Sequence, residues 1–439
     1  MASKSRSQEP GVATISRRGV LRATGTAGLL VAARNLVPGG AFAQGAGPEV
    51  KGTRLGYIAL TDAAPLVIAK EKGLFAKHGL PDMDIAKQAS WGATRDNMAL
   101  GLKANGIDGG HILRPKTHLY STGKVMQNGQ PLPMYTLLNL NEDCQAISVS
   151  NEFKDLKIGT DASALRDAFA KKKAAGKDVK VAMTFPGGTH DLWIRYWLAA
   201  GGIDPDKDVQ TITVPPPQMV ANMKVGTMDA FCVGEPWNEQ LVNQDIGFTA
   251  ATTGEIWFKH PEKVLGMRAD WVDANPRATR AILMAVMEAQ QWCDKLENKP
   301  EMAEIIGRRQ WFNVPVPDII GRIKGDINYG RGRVEKGTKL GMKFWGEKGE
   351  VSYPWKSLDT WFVAENIRWG KFEPTIDIKA LVDKTNRSDL WLDAAKGLGL
   401  AAMPSGDSRG VETFFDGKKF DPADPMAYLK SLSIKRASV

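Results

Sequence analysis

The sequence predicts an α/β protein of two lobes, each a mostly parallel sheet with flanking helices, with a ligand cleft between them. Three observations carry this. Short apolar and β-branched runs alternate with helical stretches from residue 53 to residue 266. Two polar or glycine-rich segments, around residues 141–146 and 252–266, bracket one complete α/β unit. That unit reads as inserted into another through two crossings, an arrangement that leaves a cleft between lobes where small ligands bind. Beyond residue 266 the alternation gives way to a long helix from Pro276, with Ala278, Ala281, Ile282, Ala285, Val286, Ala289 and Cys293 at three-to-four spacing.

The elements follow in order. Residues 53–60 form a strand, and Pro65 opens a helix that stops at Gly73. Residues 83–89 are strand-like, "SWGATRDNMALGLKANG" is a helix, and "IDGGHIL" and "MYTLLNL" are strands. In the second unit "LKIGT", "VKVAMTF", "VQTITVP" and "DAFCVG" read as strands. Pro215 and Pro236 stand where helices begin, since proline suits a first turn. Residues 297–396 read as helical, with loops rich in Trp, Gly and Pro. The expected division is a first lobe over residues 44–143, a second over 144–255, a return to the first over 256–345, and an extension over 346–439 packed on the first lobe.

Residues 1–43 stand apart. Ser16-Arg17-Arg18-Gly19 precedes a mildly apolar tract, and Ala41-Phe42-Ala43 supplies a small-residue cleavage pattern before Gln44. This is the order of a twin-arginine export signal, so the export machinery is one expected partner and the periplasm the expected location. The segment also explains most of the charge. It holds six basic residues against Glu9, leaving +4 on the remainder of a chain whose formal charge is +9. Such a weak balance gives no case for nucleic acid and slightly favours a small anion. Cys144, Cys232 and Cys293 are far apart in apolar runs and read as buried thiols.

The sequence has no H-E-x-x-H and no C-x-x-C, and its one G-x-S-x-G string, Gly406-Asp407-Ser408-Arg409-Gly410, follows Pro404-Ser405 and is not a nucleophile elbow, which needs a strand running into the serine. "GRVEKGTK" imitates a P-loop, but its Thr338 precedes Lys339 and no strand leads into it. The five histidines show no metal-ligand spacing. Two helix mouths are more informative. In "TFPGGTHDLW" a strand runs through Gly187 and Gly188 into Thr189, a good N-cap, and His190, a side-chain donor. In "ASWGATRDN" small residues open a helix beside Trp91. A helix N-terminus attracts anions through its free N–H groups and dipole, and two such mouths facing a cleft make a clamp. Alone, such a stretch reads better as a plain turn with an ordinary cap, and a lone Trp as core.

The stretches "LGYIALTDAAPLVIAKEKGLFAKHGL", "KQASWGATRDNMALG", "AMTFPGGTHDLWIRYWLAAGGIDPDKDV", "VPPPQMVANMKVGTMDAFCVGEPWNEQLV" and "TTGEIWFKHPEKVLGMRADWV" resemble the periplasmic nitrate- and bicarbonate-binding proteins of ABC importers. The resemblance implies a type II periplasmic binding fold, a non-enzymatic role without a cofactor, and delivery of an anion to a permease with its ATPases. It implies that Trp91, Gln145, Gly188, Thr189, His190, Gly234 and Lys263 line the ligand site, and it favours nitrate or nitrite. The alternatives it leaves are a calcium-assisted bicarbonate-binding protein, for which an acidic residue is expected at the Lys263 position, and a pyrimidine-synthesis-like enzyme on the same fold. Glu262 stands next to Lys263, so one step of register separates the two anions. One departure is local: where the family reads close to "DGAHMLTPMPY", this chain has "DGGHILRPKTHLYS", with Arg114 and Lys116.

Overall fold

A computed structural model describes residues 47–439; the expected export signal over residues 1–43 lies outside them. Ten strands build two five-stranded sheets. They are β1 (Arg54–Tyr57), β2 (Asp84–Lys87), β3 (Gly109–Leu113), β4 (Met134–Asn139), β5 (Gln145–Ser150), β6 (Lys180–Met183), β7 (Gln210–Thr213), β8 (Ala230–Gly234), β9 (Gly247–Thr252) and β10 (Lys263–Arg268). The first sheet has the order β2-β1-β3-β10-β4 and the second β7-β6-β8-β5-β9. In the first, β1 is parallel to β2 and β3, while β10 is antiparallel to β3 and β4. The second repeats the pattern, with β6 parallel to β7 and β8, and β5 antiparallel to β8 and β9.

The reversed strand of each sheet is the one by which the chain arrives from the other sheet. A short crossing cannot carry the chain back to the far end of a sheet, as a helical crossover does, so the arriving strand starts at the near end and runs antiparallel. Gln145 and Lys263 are the first residues of β5 and β10. The two crossings hold each other: Leu140 N–H donates to Lys263 O at 2.8 Å, and Asp143 N–H to His260 O at 3.1 Å.

Sequence and structure part company at several places. Residues 156–160, "LKIGT", are not a strand; the carbonyl of Gly159 instead accepts from the Trp197 indole at 3.0 Å. Conversely, β5 and β9 are strands that the sequence reading does not assign, and β5 and β10 begin inside the two segments that read as crossings. "QAISVS" and "GFTAAT" are mostly small or polar, with only Ile147, Val149 and Phe248 as large apolar residues, yet both strands are buried almost throughout because the neighbouring elements supply most of the apolar cover. The helix Pro317–Lys324 and the hairpin Ile327–Glu335 lean on the second sheet's side, not only on the first. Arg322 fixes them there, with Nε 2.7 Å from Glu239 and Nη1 3.0 Å from Glu235.

The C-terminal extension, expected on the first lobe, touches both. Helix Ser388–Gly397 packs on the long helix Pro276–Asp294 and on β4, which is the expected side. Helix Lys356–Arg368 instead inserts Trp361 against the second lobe, stacked on Trp193 with centroids 4.8 Å apart, and Trp257 lies 5.2 Å away. Aromatic burial of this size outweighs a purely local docking. Arg114 ties the same helix to the first lobe: buried, it donates from Nε to Asp359 at 2.7 Å and from Nη2 to Trp355 O at 2.9 Å. Its charge is therefore spent on the extension and not on the cleft.

Trp361→Ala is expected to destabilise the protein by roughly 3–5 kcal/mol in urea unfolding, the range for deleting a fully packed aromatic. A change within about 0.5 kcal/mol, as at an ordinary surface position, would show that the stack is not a packed core.

Candidate functional site

The cleft-side ends of both sheets bring the site together, the place where α/β sheets present ligand-binding groups. From the first lobe come Asp62 after β1, Trp91 at the first position of helix Trp91–Leu100, His111 on β3, and Lys263, paired in register with Leu113. Ser90 caps the Trp91 helix, its Oγ accepting from Ala93 N–H at 3.1 Å. From the second lobe come Gln145, in register with Gly234, and Thr189 and His190 in the first turn of helix Thr189–Ala200. Thr189 is not the N-cap that the sequence suggested. Gly188 holds that position, one residue earlier, because Gly187 takes a φ of 74° and turns the chain sooner. Thr189 Oγ1 is thereby free to donate to Glu262 Oε1 at 3.3 Å.

A buried ionic cluster occupies the centre. Lys263 Nζ lies 2.8 Å from Asp62 Oδ2 and also pairs with Glu262, and all three side chains are fully buried. His111 Nε2 is 2.6 Å from Asp62 Oδ1. His190 Nε2 is 2.9 Å from Glu262 Oε1, and its Nδ1 is 2.5 Å from the Thr184 hydroxyl. The Gln145 amide, oriented by its neighbours, donates to the same Glu262 oxygen at 2.9 Å and accepts from Trp193 Nε1 at 3.2 Å. One carboxylate oxygen thus gathers donors from Gln145, Thr189, His190 and Lys263.

Charges in the cluster follow from burial and pairing. Burial works against the charged form of each carboxyl, but Lys263 and the adjoining histidines outweigh it and hold Asp62 and Glu262 below the usual carboxylate range. Burial likewise opposes the Lys263 ammonium, and the two carboxylates overcome it and raise its affinity for the proton. For His111 and His190 burial wins and lowers their proton affinity, so both imidazoles are neutral. Neutral His190 then donates Nε2–H to Glu262 and accepts at Nδ1 from Thr184. Two carboxylates against one ammonium leave the cluster formally one charge negative.

Every residue expected at the site reaches its neighbourhood. Trp91 lies with its ring centroid 5.4 Å from that of His111 and 5.9 Å from Lys263 Nζ. A Cβ on Gly234 would lie 3.2 Å from Asp62 Oδ2 and 3.7 Å from Lys263 Nζ, so the missing side chain makes room for the charges. Gly188 is a spacer of another kind: a Cβ there would lie 2.6 Å from Leu113 Cδ1, and its absence lets the helix mouth approach β3. Asp62, His111 and Thr184 escape a motif reading. Their one signal is position, since His111 lies on β3, Thr184 directly follows β6 and Asp62 stands in the turn Thr61–Ala63 after β1. Glu262 and Lys263, consecutive in the chain, do not alternate between cleft and solvent but meet in the same cluster.

Removing one partner of such a cluster strands buried charge. Lys263→Met is expected to cost roughly 3–5 kcal/mol in urea unfolding, and the triple change Asp62→Asn, Glu262→Gln, Lys263→Met to restore most of it. Equal loss in the single and triple variants would mean that packing, not charge pairing, sets the cost.

The profile of the NMT1-like family matches residues 46–307. The nitrate/nitrite binding protein NrtA of Synechocystis sp. is 59% identical over 391 residues, covering 88% of this chain and 86% of that protein. The bicarbonate-binding protein CmpA of Synechococcus elongatus is 48% identical over 398 residues, covering 89% of this chain and 88% of that one. The crystal structure of the periplasmic nitrate-binding protein NrtA from Synechocystis superposes with a TM-score of 0.86 at 58% identity, covering 89% of this chain and 100% of that one. With the same two-lobed fold and likeness along nearly the whole described chain, the protein belongs to the NMT1-like family and, within it, to the nitrate/nitrite- and bicarbonate-binding proteins.

Proposed function

We propose that this protein captures nitrate or nitrite between its lobes and delivers it to the permease and ATPase subunits of an ABC importer. The observation that carries the reading is the donor set on Glu262. Gln145, Thr189, His190 and Lys263 converge on an oxygen of a planar, singly charged carboxylate. Nitrate has the same plane, the same charge and only acceptor oxygens, so donors that suit one suit the other. The higher identity to the nitrate/nitrite binding protein than to the bicarbonate-binding protein points the same way. Calcium-assisted bicarbonate binding fits less well. A calcium ion on Glu262 would have to displace Lys263 and leave a buried ammonium beside a dication. The His190 imidazole is read as the donor of Nε2–H toward an oxyanion, its Nδ1 being held by the Thr184 hydroxyl.

Isothermal titration of the protein from residue 44 onward tests the ligand. Nitrate and nitrite are expected to bind and sulfate is not. Heat only from bicarbonate with calcium would transfer the protein to the other branch, and heat from none of them would end the anion reading. Export is proposed to use the paired arginines. A periplasmic host is expected to yield protein beginning near Gln44, and Arg17→Lys with Arg18→Lys to leave it unprocessed in the cytoplasm; processing that persists in the double variant would point to another route.

A further inference from the structure

Lys116 opens the short helix Lys116–Ser121 just after β3 and is fully buried. Its Nζ donates to Trp91 O at 2.8 Å. Around it stand three rings, with Nζ 4.1 Å from the centroid of Phe185, 4.8 Å from Trp91 and 5.2 Å from Tyr120. Trp91 and Tyr120 belong to the first lobe, and Phe185 follows β6 in the second, so this aromatic box spans the cleft. Burial holds the Lys116 proton affinity well below that of a free lysine, and Arg95 lowers it further while Asp96 offsets part of this. Those two are engaged with each other, Arg95 Nε lying 2.8 Å from Asp96 Oδ1.

An ammonium taken out of water needs a counter-charge, and three faces of aromatic ring supply only part of one. Among the described residues no carboxylate pairs with Lys116. Two further polar atoms of the same box have no partner, Trp91 Nε1 and Tyr120 OH, both on fully buried residues. The cluster on the far side of Trp91's neighbourhood does not compensate for this. Lys263 is already claimed by Asp62 and Glu262, and that cluster is formally negative, so it brings no net positive charge to an incoming anion.

We propose that Lys116 is the counter-charge for the bound anion, with Trp91 Nε1 as a second donor beside it. The ligand class is a small, singly charged oxyanion seated between the Lys116 box and the donors around Lys263. On this assignment Lys263 organises the donors, while Lys116 supplies the attraction. The proposal rests on the reading above that the cleft takes such an anion.

Titration of Lys116→Met with nitrate, beside the unaltered protein, tests it. Methionine keeps the length and the packing among the rings and removes the charge. Affinity is expected to fall roughly 10- to 100-fold, the range for losing a charge-assisted bond. The melting temperature of the ligand-free variant is expected to stay or rise, because an unpaired buried amine has gone. If Lys116→Met does not fold, Lys116→Gln, which keeps a donor toward Trp91 O, carries the same comparison. Nitrate affinity within twofold of the unaltered protein in a folded variant would overturn the assignment while leaving the anion reading intact. No anion binding by the unaltered protein would overturn both.

Discussion

The fold turns on one buried arrangement, the ammonium of Lys263 held between Asp62 and Glu262. Its carboxylate partners outweigh the burial that opposes each charge, and the result locks two distant segments of chain to one point. Asp62 comes from the turn Thr61–Ala63 after β1, while Glu262 and Lys263 come from the crossing that re-enters the first sheet. Glu262 in turn reaches the second lobe through His190, Gln145 and Thr189. A buried ion cluster of this kind is weak evidence of net stability, since well-packed apolar residues often do as well. Its consequence is specificity: each member has a defined partner, so the lobes meet in one register at the site. That specificity is also what a binding cleft needs, because donors must stay aimed where the ligand's oxygens lie.

The way the chain crosses between sheets explains why these residues converge. Both crossings are short, the second holding only the one-turn helix Thr253–Ile256, so each delivers a reversed strand whose first residue lies at the cleft. Gln145 and Lys263 are therefore equivalent positions in the two lobes, one an amide and the other an ammonium. Their in-register partners differ usefully: Gly234 leaves space for charge opposite Gln145, while Leu113 packs behind Lys263 and against Gly188. A doubly pseudo-symmetric frame thus places chemically distinct groups face to face.

The extension acts as a brace for this frame. Trp361 stacks on Trp193, whose indole N–H holds the Gln145 amide, so packing outside the cleft fixes a donor inside it. On the other side Arg114 holds Asp359 and joins the extension to the first lobe, while Asn386, within the extension, orients the same carboxylate. Two neighbouring basic residues, Arg114 and Lys116, thereby have opposite circumstances. One is saturated with acceptors on the extension, and the other is enclosed by rings without a carboxylate.

Local pattern was enough to establish the alternation of strands and helices, the helix mouths at Trp91 and His190, and the long helix from Pro276, because each depends on spacing and capping within a few residues. Likeness over long stretches was enough to select the family and to bring Gln145, Gly234 and Lys263 into the site. The strands β5 and β9 were not legible, since small and polar residues form strands there only because their neighbours bury them. Nor were the partnerships of Asp62, His111, Thr184 and Glu262, or the contrast between Arg114 and Lys116. A charged side chain reads the same in sequence whether solvent, a carboxylate or an aromatic box surrounds it. Only folding decides which, through pairings between residues as far apart as Asp62 and Lys263 and through the loss of water that makes every unpaired charge costly.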